Sequence, residues 1–266
     1  MRLPVERRVE RARAGGNDGK QSAGGKRSGD ESARGAHTPV VDGDGLALDC
    51  EVVVLDPPGL PVFAAMFYEP AKRDQGVLPH DPFKALVAPR PIGWVSTLGA
   101  AGQVNLAPYS FFNAVCDSPP MLAFSSAGLK DSASFARTGG EFVWNLPTFE
   151  LAEAMNATSA SLPRGSSEFD HAGLELSPST LVAPPRVAAS PCSLECRVLA
   201  VHELHDLDGR SADQHLVIGQ VVGVHLDESI VTDGYVDTAA VRPIARCGYT
   251  SDYAVVDELF RMDRPD

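Results

Sequence analysis

The stretch from Pro89 to Ser126, PRPIGWVSTLGAAGQVNLAPYSFFNAVCDSPPMLAFSS, constrains the fold more than any other part of the chain. The β-branched and aromatic residues Ile92, Trp94, Val95 and Thr97 predict a first strand over residues 90–98. Gly99-Ala-Ala-Gly102 reads as a turn, and a second strand starts over residues 104–107. Pro119-Pro120 introduces a third run over residues 121–126. Hydroxyl, amide and aromatic side chains crowd the strand ends: Ser96, Thr97, Asn105, Tyr109, Ser110, Phe111, Phe112, Asn113, Ser125 and Ser126. That mixture suits a planar aromatic ligand with a phosphate tail. The plainer alternative is a β-meander with polar turns.

The rest of the chain narrows the choice. A length of 266 residues with 44% apolar content suffices for one large domain or two small ones with a real core. The net charge of −12 argues against a general nucleic-acid binder. Residues 1–34 hold nine Lys/Arg against five Asp/Glu, so the remainder is more acidic than the total. A phosphate must then be held by a few local cations, hydroxyls and backbone N–H groups. Residues 1 to about 38, rich in Arg, Gly and Ser, are expected to be disordered. Composition changes near Met66, which predicts an irregular extension over 1–65 and a folded domain over 66–266, with Met66 a candidate start of the natural product. No apolar run approaches the length of a membrane span, and no apolar segment follows the basic N-terminus as in a signal peptide. The five cysteines are odd in number and form no C-x-x-C, so reduced thiols in a cytoplasmic protein are expected.

Further along, Asp81 with Pro82 predicts a short helical turn, and Asp131 is placed as the cap of a helix over 132–137 ended by Gly139-Gly140. A strand over 141–146 follows, then a helix over 149–157 capped by Thr148. Residues 159–190 are loop-rich, as expected of a functional loop or lid. Within them, Glu168-Phe169-Asp170-His171 reads as a polar loop with one packed Phe, against a catalytic alternative. Alternation over 192–204 puts Cys192, Leu194, Cys196, Val198 and Ala200 on one face and Ser193, Glu195 and Arg197 on the other. A mostly buried strand over 215–226 pairs with it, and its Gly219 and Gly223 suggest tight bends or close backbone approach. A last helix is expected over 253–260. With no βαβ units, P-loop or Rossmann glycines, the fold class is mainly β, a small antiparallel barrel with short helices in the connections.

In this order R-P-I-G-W-V-S-T (90–97), N-L-A-P-Y-S-F-F-N (105–113), Pro119-Pro120, Lys130-Asp-Ser, E-F-V-W-N-L, A-E-A-M-N-A-T, E-F-D-H-A-G-L, P-C-S-L-E-C and G-Q-V-V-G-V-H follow one another. The series resembles the flavin reductase-like, FMN-binding split-barrel family over residues 66–249. The resemblance implies a Greek-key split barrel and a homodimer with FMN at or near its interface. On the matching positions, Ser96, Thr97, Tyr109, Ser110, Phe111, Phe112 and Asn113 would line the flavin. Ser125, Ser126, Lys130 and Ser132 would lie on its phosphate and ribityl side, with Arg90 a further cation. Phe111, Phe112 or Trp94 would cover a ring face. Relatives often carry Thr where Ser132 stands, and the hydroxyl is kept.

The resemblance further implies NAD(P)H as electron donor, with free flavin, a partner oxygenase or oxygen as acceptor. Hydride transfer needs stacking and little acid–base help, so no catalytic side chain is assigned and no metal is expected. Two rivals stand beside this reading: a non-enzymatic FMN-binding electron carrier, and a split barrel binding another ligand such as haem.

Overall fold

In the computed structural model, residues 66–163 and 166–265 are described. The chain divides into two units, residues 1–73 and 74–266. Of the first, the described part is a single 3-10 turn, Pro70–Lys72, with a Lys72–Glu69 ion pair at 2.8 Å. The expected irregular extension over 1–65 lies outside the described residues.

The second unit is built on a seven-stranded antiparallel sheet. Its strands in chain order are β1 (Arg90–Pro91), β2 (Gly93–Leu98), β3 (Val104–Tyr109), β4 (Phe112–Asp117), β5 (Pro120–Ala127), β6 (Glu141–Asn145), β7 (Leu176–Ser177), β8 (Arg186–Val187), β9 (Cys192–His205), β10 (Ser211–Leu226), β11 (Val231–Thr232), β12 (Tyr235–Val236), β13 (Ile244–Arg246) and β14 (Tyr253–Val255). The helices are α1 (Phe83–Leu86), α2 (Asp131–Gly139), α3 (Ala152–Ala157), α4 (Glu168–Ala172) and α5 (Thr238–Val241). Seven strands join in the order β3-β2-β6-β9-β10-β5-β4, and β1, β13 and β14 form a separate three-stranded sheet. The chain leaves β5, passes through α2 and returns three positions away as β6, beside β2. This is the expected split barrel, mainly β with short helices in its connections.

Period-two alternation sorts β2 between two cores. Val95 faces the barrel interior with Leu122, Phe124, Phe142, Cys196, Val217 and Val221, and Ala133 and Ala136 of α2 close one end. Trp94 faces the other way, into a second core with Ile92, Leu106, Met155, Phe169, Val187 and Ile244. Close approach accounts for two glycines: a Cβ at Gly219 would overlap the Phe142 ring, and one at Gly93 would overlap Phe112.

Several sequence-based expectations are corrected. The expected first strand is two, β1 and β2, which belong to different sheets. Residues 112–117 form the edge strand β4, where no strand was expected. Lys130, not Asp131, is the N-cap of α2, which starts one residue earlier than expected. The 149–157 segment begins as a 3-10 turn before α3. Residues 168–172 are the helix α4, capped by the Ser167 hydroxyl accepting from Asp170 N–H, with Phe169 buried. Residues 253–255 are β14, not the start of a helix, because they pair with β13. Register shifts add Leu199 to β9 opposite Ile218/Gly219 and Val222 to β10 opposite Cys196/Glu195. Over 192–198 the expected alternation holds: Leu194, Cys196 and Val198 face the barrel core, and Ser193 and Glu195 face the other way, where Asn145 and residues 180–182 cover them fully.

The expected lid is instead fastened down. Glu195 accepts hydrogen bonds from the N–H groups of Thr180 and Leu181, both at 2.6 Å, and of Val182 at 3.1 Å. Glu141 accepts from the next, Ala183, at 2.8 Å. The Ser96 hydroxyl donates to the Pro185 carbonyl, and Asn145 Oδ1 accepts from Val187 N–H at 2.9 Å. Loop 176–187 is thus bound to β2, β6 and β9 through residues 180–183, 185 and 187.

Candidate functional site

Four of the expected ligand-lining residues come together at the end of the barrel closed by α2: Thr97, Tyr109, Ser126 and Ser132. Asn105 links them, donating from Nδ2 to Ser132 Oγ at 2.6 Å and to Thr97 Oγ1 at 3.4 Å. The Tyr109 phenol bonds with the Ser132 and Ser126 hydroxyls, and its ring lies 4.8 Å from that of Phe124. Ser126 Oγ also donates to the Gly128 carbonyl at 3.1 Å. Burial raises the Tyr109 pKa above its ordinary value; the bonds with Ser132 and Ser126 pull it down, and the carboxylates of Asp131 and Glu168 push it further up. Tyr109 therefore keeps its proton at neutral pH.

Lys130 stands exposed at the rim of this cluster. No side chain caps α2, so the N–H groups of its first turn are open to an anionic partner. Phe111 is part-exposed, and Phe112 stacks on Trp144 at 5.7 Å between centroids. Asn113 is exposed at the start of β4, where its Oδ1 accepts from Ala114 N–H at 2.9 Å.

Other expected site residues lie elsewhere. Ser125 points to the opposite face of β5 from Ser126, where its hydroxyl bonds Gln214 Oε1 at 3.1 Å. Ser96 is engaged with loop 176–187. Trp94 is 0% exposed, with its indole N–H donated to Thr158 Oγ1 at 3.0 Å, so its ring faces a packed core. That placement corrects the expectation that Trp94 covers a ligand face. Arg90 and Ser110 border a separate hollow with Lys84 and Arg246. The cation Arg246 has the type and position of a site residue but was not among the expected ones, and Asn105, named with the strand-end polar residues, was given no role toward the ligand. Asn105 was within reach of the sequence, since it stands on the same strand face as Tyr109.

Burial, with the Glu195 carboxylate beside it, pushes the Cys196 thiol far up, and burial raises Cys192 as well. No helix among the described residues is long and apolar enough to cross a membrane.

Comparison with known proteins bears on this arrangement. A family model described as "Flavin reductase like domain" matches residues 86–240. An uncharacterized protein of Deinococcus radiodurans is 38% identical over 192 residues, covering 68% of this chain and 82% of its own. Among solved structures, nitrilotriacetate monooxygenase component B from Bacillus cereus is similar at a TM-score of 0.69 and 29% identity, covering 75% of this chain and 100% of its own. The Pseudomonas fluorescens 2-nitrobenzoate 2-nitroreductase is similar at a TM-score of 0.61 and 26% identity, over 69% of this chain and 88% of its own. The family match spans more than half of the chain, which belongs to the flavin reductase-like domain family, split-barrel flavoproteins of oxidoreductase type.

Proposed function

We propose that the protein is an FMN-dependent oxidoreductase that takes electrons from NADH or NADPH and delivers them to free flavin, a partner oxygenase or oxygen. The observation that carries this reading is the uncapped amino end of α2 beside Lys130, at the rim of the inward-facing hydroxyls of Thr97, Ser126 and Ser132. A phosphate-tailed aromatic cofactor needs such a set: one cation, free N–H groups and hydroxyls at one end, aromatic surface at the other. When bound, FMN supplies the two-electron chemistry between nicotinamide and acceptor. The chain's own residues would hold and orient it. Lys130 and the first turn of α2 would neutralise the phosphate, and Phe111 and Phe112 would offer ring surface. Tyr109, held neutral, would brace Ser126 and Ser132 without adding a negative charge.

The reading is tested by an absorbance spectrum of the purified protein, then anaerobic addition of NADH and NADPH. A flavin spectrum bleached by either donor is expected. A yellow protein that oxidises neither would favour an electron carrier, and a colourless one that cannot be reconstituted with FMN would remove flavin. Lys130→Ala is expected to weaken FMN binding by about tenfold, the loss of one charge-assisted contact of ~1.5 kcal/mol, with the melting temperature unchanged. Titration of apoprotein by flavin fluorescence measures it, and unchanged affinity would move the phosphate away from α2.

A homodimer belongs to the same reading. Leu199, Leu204, Val224 and Leu226 stand exposed along the long β9–β10 hairpin, apolar side chains that a second copy would cover. Light scattering after gel filtration reads its mass directly.

A further inference from the structure

The hollow beside Arg90 has a volume of about 450 Å³ and gathers the cations of one small region of an acidic chain. His80, Lys84, Arg90 and Arg246 line it, with Asp81 the one acid, whose Oδ1 accepts from Phe83 N–H at 2.9 Å. Arg90 and Arg246 are direct partners across the β1–β13 pairing. Like charges directly opposite in an antiparallel pair are unfavourable. Both guanidinium groups are met by neutral partners: Arg90 donates to the Lys84 and Val87 carbonyls, and Arg246 to the Tyr253 hydroxyl and the Thr250 carbonyl. Lys84, Arg90 and Arg246 take part in none of the ion pairs among the described residues. Arg90 is only 6% exposed, yet its Nε has no hydrogen-bond partner. A buried cationic donor left unpaired beside a facing arginine is costly, and an anion in the hollow would relieve both terms.

The neighbouring space indicates what kind of anion. A second hollow of about 340 Å³ shares Ser110, Arg246 and Thr250 with the first and has Ile92, Pro108 and Met155 in its walls. A cationic end thus adjoins a partly apolar slot, the form that suits a nucleotide with a ring at one end and phosphates at the other. Ser110 follows Tyr109 directly, so the hollow lies next to the segment read as flavin-lining.

We propose that Lys84, Arg90 and Arg246 recognise the phosphate groups of the reduced nicotinamide dinucleotide, and so determine how tightly the donor is held. This inference rests on the reading of the protein as an NAD(P)H-dependent enzyme. The test uses the full chain loaded with FMN. Lys84→Glu, at an exposed position where folding is not at risk, is expected to raise KM for the preferred donor at least tenfold with kcat within about twofold, the mark of lost uniform binding. Lys84→Ala is expected to give a smaller rise in the same direction. FMN content and melting temperature should match the parent protein.

An unchanged KM in Lys84→Glu and in Arg246→Gln would overturn the proposal. So would loss of FMN in proportion to the rise in KM, which would give these cations to the flavin's own phosphate. If the parent protein oxidises neither donor, the enzymatic reading falls, and calorimetric titration with 2′,5′-ADP judges the hollow separately. Binding weakened at least tenfold by Lys84→Glu supports phosphate recognition there; no binding to the parent protein overturns it.

Discussion

Glu195→Ala is expected to destabilise the protein by about 3–5 kcal/mol and to release loop 176–187. Glu195 is 0% exposed, and its two oxygens take the N–H groups of Thr180, Leu181 and Val182. His225 Nε2 completes the set on Oε1. Successive N–H groups converging on one carboxylate form an anion nest, here filled by the protein itself. Alanine leaves the Val182 donor buried without a partner, while Thr180 and Leu181 regain water only if the loop lifts. Glu195→Gln is expected to cost less, since one oxygen still accepts. Denaturant melts measure the loss, and limited proteolysis should show new cleavage within 176–187; a variant as stable and as resistant as the parent would remove Glu195 from this role.

The same carboxylate sets a pH dependence. Burial works to raise its pKa, but the hydrogen bonds from His225, Thr180 and Leu181 outweigh it and hold the group below its ordinary value. A carboxyl whose folded pKa is depressed contributes stability that is full above the unfolded value of about 4.3 and is lost as pH falls through the folded value. The parent protein should therefore lose stability on acidification below about pH 4.3, and Glu195→Gln should lose less across the same interval. Melts at a series of acid pH values would show parallel curves if this carboxyl is not responsible.

Trp94→Ala is the second large effect, about 3–5 kcal/mol. The whole indole is enclosed by the second core, and its N–H satisfies the Thr158 hydroxyl oxygen, which itself donates to the Met155 carbonyl at 2.7 Å. Removing it leaves a large cavity between the barrel and α3. Trp94→Phe keeps most of the volume and loses the hydrogen bond, at about 1 kcal/mol. Flavin affinity of the folded protein is expected to stay within about twofold in Trp94→Phe, since the ring faces away from solvent. A variant that loses flavin without losing stability would return Trp94 to the binding surface.

Local signals reveal the barrel's hairpins in the sequence, while its cross-links stay hidden. β2 announces itself by β-branched residues before a Gly turn, β3 and β5 by apolar runs bounded by Gly and Pro, and β6 by its apolar content. β4 is an edge strand with mostly exposed positions, so it carries no alternation to read. Tyr253–Val255 has the composition of a helix start, and pairing with β13 overrides it. Glu195 keeps the face that alternation gives it, but alternation carries no sign that residues 180–182 cover that face. The hydroxyl cluster was partly legible because Thr97, Asn105 and Tyr109 sit on neighbouring strands joined by a tight turn. The cationic hollow was not. Arg90 and Arg246 stand near opposite ends of the domain sequence and meet only through the β1–β13 pairing.

The strand order also dictates a sequence of events in folding. The pairs β2–β3, β4–β5 and β9–β10 each close over a short turn, whereas β2–β6, β6–β9 and β5–β10 join distant segments. Local closures form first because they sacrifice little chain entropy, and distant ones are rewarded only after their loops are paid for. β6, five residues long, is the sole lateral neighbour that β2 and β9 share in the sheet. Until it inserts, the β2–β3 hairpin has no lateral link in the sheet to the four strands β9, β10, β5 and β4. Docking of this short strand is therefore the step that makes the barrel cooperative, and its amides should be among the last to exchange with solvent.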